Sequence, residues 1–418
     1  MYFCLQNDCK LVKGAARAAI YDFKTGKVHS INQGAFQILT ACQDHKIEDL
    51  WDMGSPDSTQ YMNFMNKLVD KKLGAFHDCQ PTTACCDLTL PLSPVKLDFM
   101  WLELTYNCNS KCLHCYAECE PSSPVPEQVP HHRWLSLIDE GKQAGATAIQ
   151  LIGGEPLLYP EWRELVVKAY DLGYECIEIF TNGTLVDDEC VDFFKQYNVS
   201  IATTIYADNA ETHDKITLQP NSFTKTMKAI KKIMEANIPL RIASIIMKDN
   251  EHEVENILKL YKELGMEGAY PDVIRPTGRG DDHHLRPENY RKPSIKPPFY
   301  IDEDSFNDAH HYHSCLAGKI AITATGDIIP CIFARNQVCG NIVNHSLTEI
   351  LSGQPLAQCW HTTTDCINKC KDCEYRYACP DCRPLAQGSD PEKFWLAASQ
   401  NCSYDPYTGI WKQSLEPI

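Results

Sequence analysis

The chain switches repeatedly between two hydrophobic periods. "ARAAIYDFKTGKVHSI" (16–31) alternates over two short runs that turn at Thr25-Gly26 and predicts a pair of strands. "AFQILTACQ" (35–43) then adopts a helical period, and "TQYMNFMNKLVDKKLG" (59–74) predicts a second amphipathic helix closed by Gly74. Residues 1–80 therefore read as one small winged-helix-like α+β module. Residues 78–96 are rich in Pro and Thr, and 81–96 is assigned as linker. From 97 to 280 the periods alternate regularly. Strands are predicted at 97–104, 148–152, 176–180, 199–205, 240–246 and 270–275, with helix patterns between them. Val254, Ile257, Leu258, Tyr261 and Leu264, for example, share one helical face. Repeated strand–helix units imply a parallel sheet, open or closed into a barrel. Residues 281–313, opening with "DDHHLRPENYRKPSIKPP", read as linker or lid, and 314–418 as an irregular cysteine-rich tail.

In such folds ligands gather at the carboxyl edge of the strands. Five unusual segments fall there: Cys108–Cys115 after the first strand, "GGEP" (153–156), "TNGT" (181–184), Thr204 and "RPTGRG" (275–280). Five ordinary turns would be five coincidences.

Composition narrows the chemistry. The 418 residues are 44% apolar and contain no run long enough to cross a bilayer, and the N-terminus lacks a secretory signal, so a soluble cytoplasmic protein is expected. A net charge of −16 argues against nucleic acid, and residues 1–90 carry nine Lys/Arg against ten Asp/Glu, leaving no phosphate footprint for the winged-helix-like module. A peptide partner suits it better. The outlying number is 22 cysteines. In a reducing compartment, clustered cysteines point to metal, and scattered ones such as Cys42, Cys176 and Cys190 to small buried hydrophobes.

Cys108, Cys112 and Cys115 supply three thiolates in one tight loop, with Cys119 just beyond. Zinc sites usually pair two close knuckles, and His114, between two cysteines, is expected to point away. A [4Fe–4S] cube needs one ligand per iron, so three thiolates leave one iron open to a small molecule.

Cys108-x3-Cys112-x2-Cys115 followed by Tyr116, then GGEP after the next strand, resembles the radical S-adenosylmethionine (SAM) superfamily. Residues 199–230 resemble the fourth-strand region of its peptide-modifying branch. The resemblance implies a partial parallel (β/α)6 barrel in which SAM chelates the open iron and is cleaved to a 5′-deoxyadenosyl radical that abstracts hydrogen from substrate. It also implies an external one-electron reductant. Gly153 and Gly154 would permit close approach of SAM, Glu155 would accept from its amino group, and Pro156 would stiffen the turn. Asn182 and Thr204 would meet polar edges of the ligand, Tyr116 would close the end of the cysteine loop, and Cys119 would be a bystander. No general base is identified.

The tail resembles the SPASM extension, which holds two auxiliary [4Fe–4S] clusters and brings the total to three. Carried over by position, Cys370, Cys373, Cys379 and Cys402 would hold the outer cluster, and Cys315, Cys331 and Cys382 the inner one. The family often has a further cysteine before the first, where this chain reads "NDAHHYH". The fourth inner ligand stays open among His313, Cys339, Cys359, Cys366 or an iron that takes a substrate group. A zinc ribbon at Cys370/Cys373/Cys379/Cys382 would leave the surrounding cysteines unexplained.

Residues 9–39 look like a RiPP recognition element and resemble the opening of Bacteroidetes-type SPASM peptide maturases. The implied partner is a ribosomally made precursor peptide, bound through its leader by strand addition. The implied reaction is an oxidative intramolecular cross-link through carbon, oxygen or sulfur. The alternatives are an anaerobic sulfatase-maturase-like Cys/Ser dehydrogenase and a non-catalytic iron–sulfur peptide-binding scaffold.

Overall fold

The computed structural model describes residues 1–51, 55–79, 95–124, 129–266, 268–291 and 295–412. Apart from its last two residues, the linker expected at 81–96 lies outside them, as do 413–418 of the tail. Among the described residues no helix is long and apolar enough to cross a membrane.

The N-terminal module holds more strands than its sequence announces. β1 (Tyr2–Leu5) pairs antiparallel with β5 (Gly74–His77), while β2 (Cys9–Lys13), β3 (Arg17–Asp22) and β4 (Lys27–Asn32) form a meander. Helices Gln33–Asp44 and Pro56–Asp70 start on Asn32 and Ser55, whose side chains accept from the third residue on, as good N-caps do. The expected closure of the second helix at Gly74 is corrected. The chain turns at Lys72, with φ +59, and Gly74 is already in β5, where a Cβ would sit 2.4 Å from Phe3 Cζ.

The central sheet forms as the periodicity predicts. β6 (Phe99–Glu103), β7 (Ala148–Ile152), β8 (Cys176–Phe180), β9 (Val199–Thr204) and β10 (Leu240–Ala243) pair in parallel in that order. The predicted strand 240–246 breaks at Ser244. Its continuation, β11 (Ile245–Ile246), pairs in parallel with β12 (Asp272–Val273), the sixth strand. Alternate residues face outward, as the period-two pattern requires. Met100, Leu102, Ile149, Leu151, Ile177, Ile179, Val199 and Ile201 pack with Trp134, Leu165 and Phe194 of the covering helices in one buried core.

The cysteine-rich tail continues this sheet. β13 (Lys319–Ile322) lies parallel to β6, and β14 (Asp327–Ile329) and β15 (Gly340–Asn341) extend it antiparallel. A last hairpin, β16 (Tyr404–Asp405) and β17 (Ile410–Trp411), follows. The segment 281–313 includes the helix Glu303–His311, and its Phe299–Ile301 stretch lines the outer edge of β4: Val28 N–H donates to Phe299 O and Ile301 N–H to Gly26 O.

Candidate active site

The loop after β6 carries Cys108, Cys112 and Cys115, and neighbouring segments hold its shape through main-chain bonds. Lys111 N–H donates to Thr217 O and Leu113 N–H to Ile216 O, so helix Ala210–Thr217 lines one side. Arg279 closes the other, donating from Nε to Cys112 O at 2.9 Å and from Nη2 to Cys119 O at 2.7 Å, while its own N–H bonds Cys115 O. Gly278 lets this strap approach. With φ +57, its Cβ would fall 2.3 Å from Tyr116 O.

The glycines of GGEP serve the same loop. Gly153, with φ +140, would place a Cβ 2.6 Å from Thr105 O, and Gly154 would place one 2.2 Å from Asn107 O. Gly154 N–H and Glu155 N–H donate to those two carbonyls and prolong the β6–β7 pairing. Glu155 is fully buried. It accepts from Thr181 Oγ1, Leu157 N–H and Asn182 N–H, while burial pushes its pKa up to about 7 against those bonds. Glu155 and Pro156 stand behind the glycine turn, outside the cavity lining.

That cavity, open and about 800 Å³, lies where the strands end, and all three cysteines line it. Gly153, Gly154, Asn182, Thr204 and Tyr116 line it too, so five of the seven residues assigned to the ligand converge. The amide of Asn182 is engaged at the rim, donating to Asn109 Oδ1 and accepting from Thr184. His114 does not point away. It lines the cavity, packs edge-on against Tyr206 at 4.9 Å, and has a buried Nδ1 with no partner. Burial and the Arg279 cation hold its pKa near 4, so the ring is neutral. Cys119, expected as a bystander, lines the cavity as a fourth thiol, and its N–H donates to Cys115 Sγ at 3.3 Å.

These residues fit an iron–sulfur cluster and a small polar ligand. Burial pushes the Cys108 thiol up to about 12 and raises that of Cys112, so thiolates this crowded require a positive group among them. Cys108, Cys112, Cys115 and Cys119 all line the cavity, which has polar lining beside them.

In the tail, Cys370, Cys373, Cys379 and Cys402 line one cavity of about 520 Å³. Cys315, Cys331 and Cys382 form a second set, each within electrostatic reach of the others. His313 is engaged at both ring nitrogens: Nδ1 accepts from Cys315 and Leu316 N–H, and Nε2 faces Asp381 at 2.9 Å. Cys339 and Cys359, both free thiols, hydrogen-bond each other in the buried core against which Cys331 also packs. Sequence reasoning missed Arg275 and Arg279 inside a segment it did single out. Only their folded partners distinguish them from other surface arginines.

Residues 102–261 match the model of the radical SAM superfamily, and residues 315–374 that of an iron–sulfur cluster-binding domain, SPASM. The AdoMet-dependent heme synthase of Methanosarcina barkeri is 27% identical over 338 residues, covering 73% of this chain and 95% of that protein. The sporulation killing factor maturation protein SkfB of Bacillus subtilis is 30% identical over 286 residues, covering 64% of this chain and 68% of that protein. The crystal structure of Streptococcus suis SuiB bound to precursor peptide SuiA shares the fold, with a TM-score of 0.53 at 15% identity over 96% of this chain and 99% of that one. The cysteine loop on its strand-end rim and these matches agree: the chain belongs to the radical SAM superfamily and carries the SPASM extension after its barrel.

Proposed function

We propose that this enzyme modifies a ribosomally made precursor peptide by radical hydrogen abstraction, forming an oxidative intramolecular cross-link. Bound SAM and a reduced cluster supply the 5′-deoxyadenosyl radical. The chain's own residues bind and orient. Cys108, Cys112 and Cys115 would hold the reactive cluster, the rim from Gly153 to Thr204 would seat SAM, and the two tail sets would hold auxiliary clusters.

The observation that carries the peptide reading is a groove of about 860 Å³ between β1 and β2, floored by Phe36 and Leu39. Two bonds, Phe23 N–H to Asp8 O and Gly14 N–H to Arg17 O, set the ladder parity. The main-chain groups of Leu11 therefore turn away from β3 and into the groove. By the same count from Gln6 N–H to Leu73 O, those of Phe3 turn away from β5. An extended leader segment laid between β1 and β2 would join the two sheets. Lys10 and Lys13 line the groove, on a chain of net charge −16, and favour an acidic leader.

The test uses a candidate precursor, sought as a short reading frame beside the gene. With SAM and reductant, 5′-deoxyadenosine should be released and the peptide should lose a pair of hydrogens. Leu11→Pro, which removes the N–H, should weaken peptide binding at least about tenfold while leaving SAM cleavage in place. The identity to heme synthases supports a second reading, an iron tetrapyrrole substrate. Turnover of an added iron tetrapyrrole with the peptide inert would replace the first reading.

A further inference from the structure

The segment 275–280 touches two cysteine sets at once. Arg279 meets only main-chain carbonyls of the first loop, so its part there is to hold shape. Four residues earlier, Arg275 donates from Nη1 to a sulfur, Cys382 Sγ, at 3.5 Å. Its Nη2 is held by Asp272 Oδ2 at 2.6 Å, and the Phe333 ring centroid lies 5.5 Å from the guanidinium. The arm is wedged in place. A Cβ on Gly388 would lie 2.3 Å from Pro276 Cγ, and one on Gly280 would lie 2.4 Å from Arg275 O.

We propose that Arg275 is a positioning residue of the inner auxiliary site, a fixed donor and cation that raises the reduction potential of a cluster held by Cys315, Cys331 and Cys382. The inference rests on assigning those cysteines to a cluster. Reduction adds negative charge that is shared with the ligand sulfurs. A hydrogen bond to one of them, with a cation behind it, favours the reduced state. Among the described residues, no side-chain N–H donates to a sulfur of the outer set. Lys369 and Arg376 reach the Cys402 and Cys373 carbonyls, Arg383 faces Cys370, and the sulfur donor there is a main-chain one, Tyr375 N–H to Cys373 Sγ at 3.4 Å.

The full-length protein, reconstituted without oxygen, provides the test through iron content and a redox titration followed by electron paramagnetic resonance. Cys382→Ala identifies the inner cluster by deleting its signal and about four irons. Arg275→Gln should keep all its iron and shift that signal alone to lower potential, with Arg275→Lys falling between. A full iron content with an unmoved signal overturns the proposal. Loss of the iron in both Arg275 variants also overturns it, because Arg275 would then be structural. If Cys382→Ala leaves iron and every signal intact, the cluster assignment itself fails, an outcome distinct from the other two.

Discussion

At Gly154, the space for one methyl group decides whether the cysteine loop can sit where it does. The atom it would meet is a backbone carbonyl, Asn107 O at 2.2 Å, which cannot rotate away. Gly154→Ala should therefore cost about 3 kcal/mol, the upper range for overpacking, and abolish SAM binding as measured by calorimetry. Tight binding by this variant would mean that the loop relaxes freely. Glu155 next door makes a pH prediction. Its carboxyl moves from the ordinary 4.5 to about 7 on folding, so the fold favours the neutral form. Its contribution is complete below pH 4.5 and declines as pH rises through 7, by about 3 kcal/mol in total. Glu155→Gln lacks this titration, so urea unfolding of the variant should show a correspondingly smaller decline across that window. An equal decline in both proteins would clear Glu155 as the source. The GGEP motif was legible in the sequence, but its atomic roles were not. Its partners, Thr105 and Asn107, lie more than forty residues earlier, and no local spacing reports a contact of that range.

The strap that holds the cysteine loop acts as an element. Arg279 supplies two charge-assisted bonds, each of the class worth about 1.5–3 kcal/mol when removed. Arg279→Gln should lower the iron content by about four atoms per chain and reduce 5′-deoxyadenosine release more than about tenfold. Unchanged iron would show that the loop stands without the strap. The repeating units of the barrel were legible because each strand carries several apolar residues flanked by turn residues. β1 and β2 were not: "YFCL" and "CKLVK" are too brief to separate alternation from chance. The break at Ser244 was equally hidden. Strand periodicity runs straight through it, and only the shift of pairing from β9 to β12 marks it. Gly74 misled for a related reason. A glycine after a helical run suggests a cap, whereas this one is small because Phe3 packs on it.

The whole molecule departs furthest from its sequence in how the N-terminal module is attached. It reads as a separate binding unit, yet β2–β4 lie against the tail. Val12, Ala19 and Tyr21 share a buried cluster with Phe306 and Tyr377. Tyr21 Oη donates to Glu374 O at 3.0 Å, and Ala15 N–H donates to Asp372 O. Those partners flank Cys373, one of the four thiols around the outer cavity, so the module braces from behind the segment that carries this thiol. Gly14 makes the closeness possible, since a Cβ there would lie 2.8 Å from Glu374 N. Module and outer site should therefore fail together. Gly14→Leu, which wedges the interface without touching a cysteine, should lose about four irons per chain and retain those of the first loop, with SAM cleavage persisting. Removing residues 1–79 should have the same effect by exposing the buried face of Tyr377. Either variant with its full iron content would show that the outer site closes on its own and that the module is only moored there. Loss of the outer iron would mean that the N-terminal module also completes the outer cysteine site, so the two cannot evolve apart.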